Sequence, residues 1–585
     1  KLYTISIQEI LLLLPCSSKI NIHTSVMAET SYEKYLSNTK LLVGFFVLAS
    51  LLIYAPAYHA GYSSDYFGYL DAYKKNEWMD ILLTFHYGSL LYVLHYVTYF
   101  IVHYFGPENI FFFLIASIFH GFNSYLTGVF ARKLFNIMNL EVGMIAIGAS
   151  LLYLVNPYLS EGLTWKACLH YPMVVTFILC ALIKYCDFLI EGRASLRWQA
   201  ILFFIISCFT LEFGMFVPGI FALLLFLKAY MEKSWTLVKK EALWTWIPSG
   251  AFLGFYLLMN KLILGVFIGH YKAASHLAFG FHSLTYVVKA FIKTLLFARH
   301  WPHTIKMSFY EVFLNKPVNT LACLFLIIGI VFILLNKNRS KLIVGFFLLC
   351  GFALFFAPVC NSYFVMLSWF EVDRYVFISL TFFVILYMLL ISVFPKWIQI
   401  SLFGIFFCIS SYFLTMQIKM LGDSAVSSTR IMDSGSELYK SSKNFILLNV
   451  PDSYNGFWMY TNFSDDVPAL TEGLSLLRDS EMDIRKNKRL LAFVMLNAND
   501  SFNIERIETN KWKMSMGQWG SWWIKNGVGT TGFENDSMKV EIDNIQAVIT
   551  LKKDMKNLDF WLMNKSILTK VNGMKYEEPS LPKME

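Results

Sequence analysis

Long apolar runs alternate with short polar segments along the first 416 residues, and the pattern changes after that point. The first run covers residues 41–58, and similar runs recur throughout this part of the chain. A helix needs roughly 17–25 apolar residues to cross a bilayer, so the pattern predicts a polytopic α-helical membrane protein. The residues that follow are more polar and predict a smaller aqueous domain.

Lysine and arginine mark the cytoplasmic loops of membrane proteins, and here they set the predicted topology. Lys40 precedes the first run, so the N-terminus is expected in the cytoplasm. The next firm cytoplasmic mark is Arg132 with Lys133, so only one of the two apolar stretches before it can cross. Residues 81–105 contain three histidines and several tyrosines, which are typical of an interfacial helix. Residues 110–131 are therefore predicted to form the second span.

The same rule, applied to the rest of the chain, predicts about eleven spans. Residues 283–298 are predicted to form a second in-plane helix, because Lys289 and Lys293 stand one helical turn apart. After eleven crossings the tail, from Gly422 onward, lies on the same side as the first outer loop. The predicted spans are 40–58, 110–131, 140–155, 168–190, 198–210, 214–230, 243–265, 317–335, 342–357, 375–393 and 398–416.

The tail contains short alternating apolar runs, for example at residues 445–450 and 540–551, with turn residues between them. These runs predict a small β-rich (α+β) domain on the extracytoplasmic side. Residues 1–26 precede the first methionine, Met27, so one alternative is that they are not translated. The chain is thus predicted to have three parts: an N-terminal segment (1–39), a membrane module (40–420) and a soluble domain (421–585).

The composition supports the membrane assignment. Hydrophobic residues make up 56% of the chain and charged residues 15%, whereas soluble proteins carry about a quarter charged residues. The net charge of +9 is explained by cytoplasmic loops, and nucleic-acid binding is not expected. None of the nine cysteines has metal-binding spacing and none lies in the tail, so disulfides are not expected there. The Lys-, Asn- and Phe-rich usage is associated with AT-rich bacterial genomes, so the expected location is a bacterial inner membrane.

Charged residues at the outer face are the candidates for chemistry, because charges near a membrane are costly and usually functional. Asp65 lies seven residues past the first apolar run, where a soluble and a lipid-bound substrate can meet, so it is a candidate general base. Arg374 stands at the mouth of a late span and is a candidate phosphate ligand. The other charged residues expected at this face are Asp71, Glu161, Glu212, Glu371, Asp373, Lys166, Lys289, Lys293 and Arg299.

Each candidate also has a structural explanation. Asp65 could be a solvated loop acid, and Arg374 could form an ion pair with a neighbouring acid. Lys289 and Lys293 could extend along the apolar surface toward water without binding anything. Glu212 lies between two short apolar runs and could be the acid of a hairpin turn.

Four short stretches resemble the GT-C membrane glycosyltransferases, and most of all the protein O-mannosyltransferases and their relatives with tetratricopeptide repeats. Residues 156–165, NPYLSEGLTW, resemble the family's HPLxxExxxW segment after the third span. Residues 210–218, TLEFGMFVP, resemble its SKExxxxxP segment. Residues 371–375, EVDRY, resemble ADRYLY, and residues 131–135, ARKLF, resemble RRLF. The order of these stretches also matches, and the resemblance covers roughly residues 40–420.

This resemblance implies an inverting sugar transfer at the outer face, from a polyprenyl-phosphate donor to a glycan, lipid or protein acceptor. The acid after the first span is the family's catalytic base, which corresponds to Asp65. Arg374 with Tyr375 would contact the donor phosphate. The remaining residues of the expected substrate and donor site are Glu161, Trp165, Lys166, His170, Glu212, Lys289 and Lys293.

Some features depart from the family. Its Gly-Arg-x-Asp cluster after the tryptophan is absent, and two explanations stay open: Lys166 and His170 substitute for it, or the acceptor differs. The tail has no 34-residue repeat. Some transferases with lipid donors use Mg²⁺ or Mn²⁺, but no ligand set in this sequence demands a metal. Two other functions stay open: a transporter or flippase, which predicts internal repeats, and a non-catalytic scaffold.

Overall fold

The structure is a computed structural model that describes most of residues 39–441 and parts of the C-terminal region. Residues 1–38 of the predicted N-terminal segment and Glu371 lie outside the described residues, and only the backbone of Asp65 is described. The described residues are 39–59, 64–75, 77, 80–81, 93–108, 110–265, 267, 281–309, 317–356, 359, 373–441, 445–447, 450–451, 453–454, 457–458, 473–474, 476–477, 494–495, 502–508, 510–516, 532–534, 538–543, 546–552, 559–564 and 567–571.

The described residues up to 441 are mainly helical, because long apolar runs dominate this part of the sequence. A glycine often ends a helix because it adopts the left-handed conformation easily, and Gly192, with a φ of 73°, ends the helix His170–Glu191 in this way. The helices are α1 Thr39–Tyr54, α2 Ser64–Lys75, α3 Val93–Phe105, α4 Phe111–Ile137, α5 Ile145–Leu154, α6 Ser160–Thr164, α7 His170–Glu191, α8 Ala194–Thr210, α9 Val217–Glu232, α10 Trp235–Glu241, α11 Ile247–Leu264, α12 Phe281–Leu296, α13 His303–Phe309, α14 Pro317–Leu335, α15 Arg339–Phe356, α16 Ser379–Ile391 and α17 Lys396–Ser441.

Eight helical segments in the described part are long and apolar enough to cross a membrane, and they support an integral membrane protein. The apolar helices α5, α8 and α16 coincide with three further predicted spans but are shorter, at 10, 17 and 13 residues. The eight segments are Thr39–Ala57, Phe111–Ile137, Lys166–Glu191, Glu212–Glu232, Trp235–Ile263, Val318–Leu335, Arg339–Phe356 and Lys396–Glu437.

Contacts between helix ends define two ends of the bundle. Lys133, near the end of α4, forms a 2.6 Å ion pair with Asp187, near the end of α7. At the other end, which we call the site end, the hydroxyl of Tyr158 donates to the carbonyl oxygen of Lys293 over 2.8 Å. Tyr158 follows α5 and Lys293 lies in the last turn of α12. The loop after α5 and the last turn of α12 therefore meet at the site end.

The first and fourth helices approach each other closely because Gly121 lies at their contact. A Cβ atom on Gly121 would lie 2.5 Å from the carbonyl oxygen of Phe46 and 2.5 Å from the Cα of Val47. Small residues at helix contacts allow such backbone-to-backbone packing in membrane proteins. This contact holds α1 closely against α4.

The last helix, α17, is longer than a membrane span. Its 46 residues correspond to about 69 Å at about 1.5 Å per residue, more than twice the roughly 30 Å hydrocarbon thickness. The helix continues without a break through residue 421, where the soluble domain was predicted to begin. A Cβ on Gly422 would lie 3.1 Å from the carbonyl oxygen of Pro56, so this part of α17 passes the end of α1.

The C-terminal region was predicted to be β-rich, and it contains a small antiparallel sheet. Five strands pair in the order β6 (Phe502–Glu508), β7 (Lys511–Met516), β10 (Gln546–Leu551), β9 (Met538–Asp543) and β8 (Gly532–Glu534). The register places Ile549 opposite Val540, and Ala547 opposite Met514, on one buried face. The other face has charged side chains, so the sheet is solvated on one side.

Seven further strands form smaller sheets in the same region. A three-stranded sheet has the order β1 (Phe445–Leu447), β11 (Asp559–Asn564) and β12 (Ile567–Val571), with β1 parallel to β11. The remaining pairs are β2 (Val450–Pro451) with β5 (Val494–Met495), and β3 (Ser453–Tyr454) with β4 (Phe457–Trp458).

Candidate functional site

The loop between α5 and α7 forms a compact series of turns at the site end. The helix α5 ends at Leu154, and the side chain of Asn156 then accepts a 3.1 Å hydrogen bond from the backbone N–H of Tyr158. Pro157 has a φ suited to a helical first turn, so a 3₁₀ turn, Pro157–Leu159, begins there. The short helix α6 follows, and a second 3₁₀ turn, Lys166–Cys168, leads into α7. The NPYLSEGLTW motif is therefore a folded loop with buried polar residues.

Glu161 of this loop forms a buried ion pair with Arg374. The Arg374 Nη1 atom donates to Glu161 Oε1 over 2.5 Å, and the Arg374 backbone N–H donates to Glu161 Oε2 over 3.1 Å. The guanidinium lies 4.6 Å from the ring centre of Trp165 and 5.0 Å from that of Tyr375. The fold thus brings together four residues that were predicted to belong to one site, although two of them, Glu161 and Trp165, are far from Arg374 and Tyr375 in the sequence.

The pairing limits what Arg374 can do. Burial disfavours its charge, but the Glu161 carboxylate and, to a smaller extent, neighbouring groups such as Tyr375 together outweigh that effect and raise the pKa of Arg374 well above its ordinary value. The guanidinium is therefore a permanent cation with one side committed to Glu161. An arginine side chain has five N–H groups, so those of Arg374 that do not bind Glu161 can bind an anion.

A second charged cluster lies beside the first, since Asp373 precedes Arg374 in the chain. The Asp373 carboxylate, which is fully buried, accepts a 2.8 Å hydrogen bond from the ammonium of Lys293. It also forms an ion pair with Arg299, which follows α12. Lys293 is 2% exposed, so the cluster is largely desolvated. Two cations share one carboxylate here, and such a cluster attracts anions.

Several residues that link the two clusters were not predicted as site residues. The Lys293 ammonium lies 5.4 Å from the ring centre of Tyr158. Ser160 donates to the Gln417 side-chain oxygen over 2.6 Å, and Gln417 Nε2 lies 3.4 Å from His300 Nε2. Gln417 directly follows the predicted span 398–416 and was the available signal, because polar side chains in membrane helices usually have partners.

An apolar groove of about 650 Å³ begins next to these clusters. Its wall residue Phe413 stacks on His300 with ring centres 4.1 Å apart, and its wall residue Phe297 stacks on Tyr158 at 6.3 Å. Tyr412 and Ile405 on its rim are exposed on the surface of the helical bundle. The groove is lined by Leu295, Leu296, Phe297, Tyr387, Leu402, Ile405, Phe406, Cys408, Ile409, Tyr412 and Phe413.

The remaining predicted site residues lie around these clusters. Lys289 is buried one helical turn before Lys293, 5.7 Å from the ring centre of Tyr286. Burial lowers the pKa of Lys289 to about 8, so it loses its charge more readily than an ordinary lysine. His170 is buried against Tyr171, with ring centres 4.5 Å apart. Glu212 lies half-buried in a different turn, Glu212–Phe216, between α8 and α9.

Asp65 belongs to the first turn of α2, a helix that contacts the loop between α5 and α7. The hydroxyl of Tyr66 donates to the carbonyl oxygen of Pro107 over 2.6 Å. The Lys166 ammonium donates to the same oxygen over 3.3 Å and lies 5.1 Å from the Tyr66 ring centre. The residue next to Asp65 is therefore in contact with Lys166 of the loop that also contains Glu161.

Within the described part of the chain, no group of three His, Cys, Asp or Glu side chains could hold a metal ion. No protein-family model matches the chain, and no curated protein is significantly similar to it. The resemblance to GT-C glycosyltransferases therefore rests on the short motifs alone.

Proposed function

We propose that this protein is a membrane glycosyltransferase that moves a sugar from a polyprenyl-phosphate donor to an extracytoplasmic acceptor. The apolar groove that lies next to the Lys293–Asp373–Arg299 cluster is the main support for this function. A polyprenyl phosphate combines a long apolar chain with an anionic head. The groove matches the chain in polarity, and the cluster matches the head in charge.

The charges around the cluster also suit the chemistry. In the proposed reaction the Asp65 carboxylate takes the proton of an acceptor hydroxyl, and that oxygen attacks the anomeric carbon. The bond between this carbon and the phosphate oxygen breaks, and the phosphate leaves with the electron pair. Lys293 and Arg299 would stabilise the phosphate as its negative charge increases, and Arg374 would add its remaining donors. Attack from the face opposite the phosphate inverts the sugar configuration, as the family resemblance implies.

The proposed topology has eleven crossings, with the three shorter apolar helices as full spans. The alternation of ends supports it, because the ends of α4 and α7 meet through Lys133 and Asp187 at one end of the bundle, whereas Tyr158, after α5, contacts Lys293 at the other end. The site end is then extracytoplasmic, together with α2 and the C-terminal region. The second half of α17 projects on this side, which agrees with its length.

The topology predicts opposite labelling of two exposed arginine positions. We expect Arg430→Cys, in the second half of α17, to react with a membrane-impermeant maleimide in intact cells. Arg193→Cys, after α7, should react only after permeabilisation. Both variants are made in a background without other cysteines. Reaction of both positions from the same side would contradict the alternating arrangement.

The donor assignment predicts that filling the groove weakens binding of the lipid carrier. Ile405→Trp places a large side chain in the groove, and we expect the Kd for undecaprenyl phosphate to rise about tenfold, as overpacking costs about 1–3 kcal/mol. Ile400→Trp is the control, because Ile400 is exposed on the same helix but does not line the groove. Binding is measured by fluorescence of a labelled carrier in nanodiscs, with inorganic phosphate as competitor.

Three results of this measurement separate the possible functions. Selective weakening by the groove variant supports the donor site. Equal binding to all three proteins removes the groove from the proposal. Carrier movement across reconstituted bilayers that is unaffected by Asp65→Asn would favour the flippase alternative.

A further inference from the structure

The helix α2, which begins next to the proposed catalytic base, is held from two directions. On the side of the membrane module, Tyr66 is fully buried against Pro107 and Phe112, with 5.6 Å between the Tyr66 and Phe112 ring centres. Helices of about 12 residues are marginal by themselves, so a helix of this length depends on its packing for both stability and position. Whatever packs on the first turn of α2 therefore also determines where Asp65 is placed.

The second contact comes from the C-terminal region. Gly473 lies against the ring of Phe67, and a Cβ atom on Gly473 would come within 2.7 Å of Phe67 Cζ and 2.8 Å of Cε1. Leu474 is 0% exposed and belongs to the same apolar core as Phe67, which is also 0% exposed. Because both residues are enclosed, the Phe67 ring has little room to move away from a larger side chain at 473.

We propose that Gly473 and Phe67 are positioning residues, and that their contact fixes the first turn of α2, the turn to which Asp65 belongs. This inference rests on the proposed function, since it concerns the packing contact that holds the helix of the proposed base, Asp65. The C-terminal region is then part of the active centre, because two of its residues complete the packing of the catalytic helix. Neither residue needs to touch a substrate for this role.

The contact explains why a glycine is needed at 473. An alanine there would press on a buried aromatic ring, and the strain would be relieved by a shift of the first turn of α2. A displacement of about 1 Å at a catalytic group can cost about 10²-fold in rate. Donor affinity should be unaffected, because the groove is formed by α12, α16 and α17.

The test uses Gly473→Ala in the full-length protein in proteoliposomes. We expect kcat for sugar transfer to fall about 10²-fold while KM for the donor stays within about twofold. Gly68→Ala is the matched control, since a Cβ at Gly68 meets no atom within 4 Å although it lies on the same helix. Phe67→Leu in the Gly473→Ala background creates space for the added methyl group and should recover most of the lost kcat.

A second measurement separates this inference from the proposed reaction. A double-mutant cycle measures the coupling between the two residues without any assay of activity. It compares the melting temperatures of wild type, Gly473→Ala, Phe67→Leu and the double variant. Coupling in this cycle together with rescue of kcat supports the positioning role. Coupling without any transferase activity in the wild type would overturn the proposed function instead. An active Gly473→Ala variant, or a loss that Phe67→Leu leaves unchanged, would overturn the positioning role.

Discussion

Replacing Asp65 with Asn is expected to lower the rate of sugar transfer by about 10²–10⁴-fold, the usual contribution of a general base. The amide keeps the size of the side chain but cannot accept the proton of the acceptor hydroxyl. The donor should still bind normally, because the groove and the Lys293–Asp373–Arg299 cluster are unchanged. The measurement is transfer from a panel of undecaprenyl-phosphate sugars in proteoliposomes at saturating donor, with carrier binding measured on the same samples.

The control for this variant is Asp423→Asn. Asp423 is exposed on α17, next to the residue that approaches Pro56 at the site end, so the variant makes the same change of charge in the same region. It should keep the wild-type rate. A transfer rate near that of wild type in Asp65→Asn would remove this residue from the mechanism, whereas a loss of carrier binding in that variant would assign it to donor recognition.

Eight of the eleven predicted spans coincide with described helices long and apolar enough to cross a membrane, because hydropathy depends only on local composition. Residues 110–131 and 168–190, for example, coincide closely with α4 and α7. The second half of α17 was missed for the same reason. Its buried positions Leu421, Ala425, Ser428 and Ile431 recur at helical spacing, but small and polar residues among them keep the mean hydropathy low.

The site could be predicted only in part. The motifs indicated Glu161, Trp165, Arg374 and Tyr375, which the structure places together. No spacing rule could pair Glu161 with Arg374, because they are 213 residues apart and several other acids were expected at the same face. Such pairings depend on how the helices pack.

The roles of the two clusters could also be assigned only from the structure. The sequence favoured Arg374 as the phosphate ligand, yet the hydrogen bonds commit part of its guanidinium to Glu161. Lys293 and Arg299 instead share one carboxylate beside the apolar groove. His300 had no sequence signal at all, since its position depends on stacking against Phe413 across two helices.

Replacing Asp373 with Asn is expected to lower the free energy of unfolding by about 3–5 kcal/mol, the usual cost of breaking a buried ion pair by removing one partner. The neutral amide would leave the buried charges of Lys293 and Arg299 without the carboxylate they share. An anion that enters the site should then replace the lost charge. We therefore expect inorganic phosphate to raise the melting temperature of Asp373→Asn more than that of wild type, compared with chloride at equal ionic strength.

Asp187→Asn is the matched control for this rescue, because Asp187 pairs with Lys133 at the opposite end of the bundle. It should also lose stability, but phosphate should not restore it selectively. An anion present at 100 times its Kd stabilises the folded state by about 2.7 kcal/mol, so phosphate should recover much of the loss in Asp373→Asn. Undecaprenyl phosphate should do so at far lower concentration, since its apolar chain also binds the groove. Equal effects of phosphate on both variants would show that the Lys293–Arg299 pair does not form an anion site, and the donor phosphate would then have to bind elsewhere.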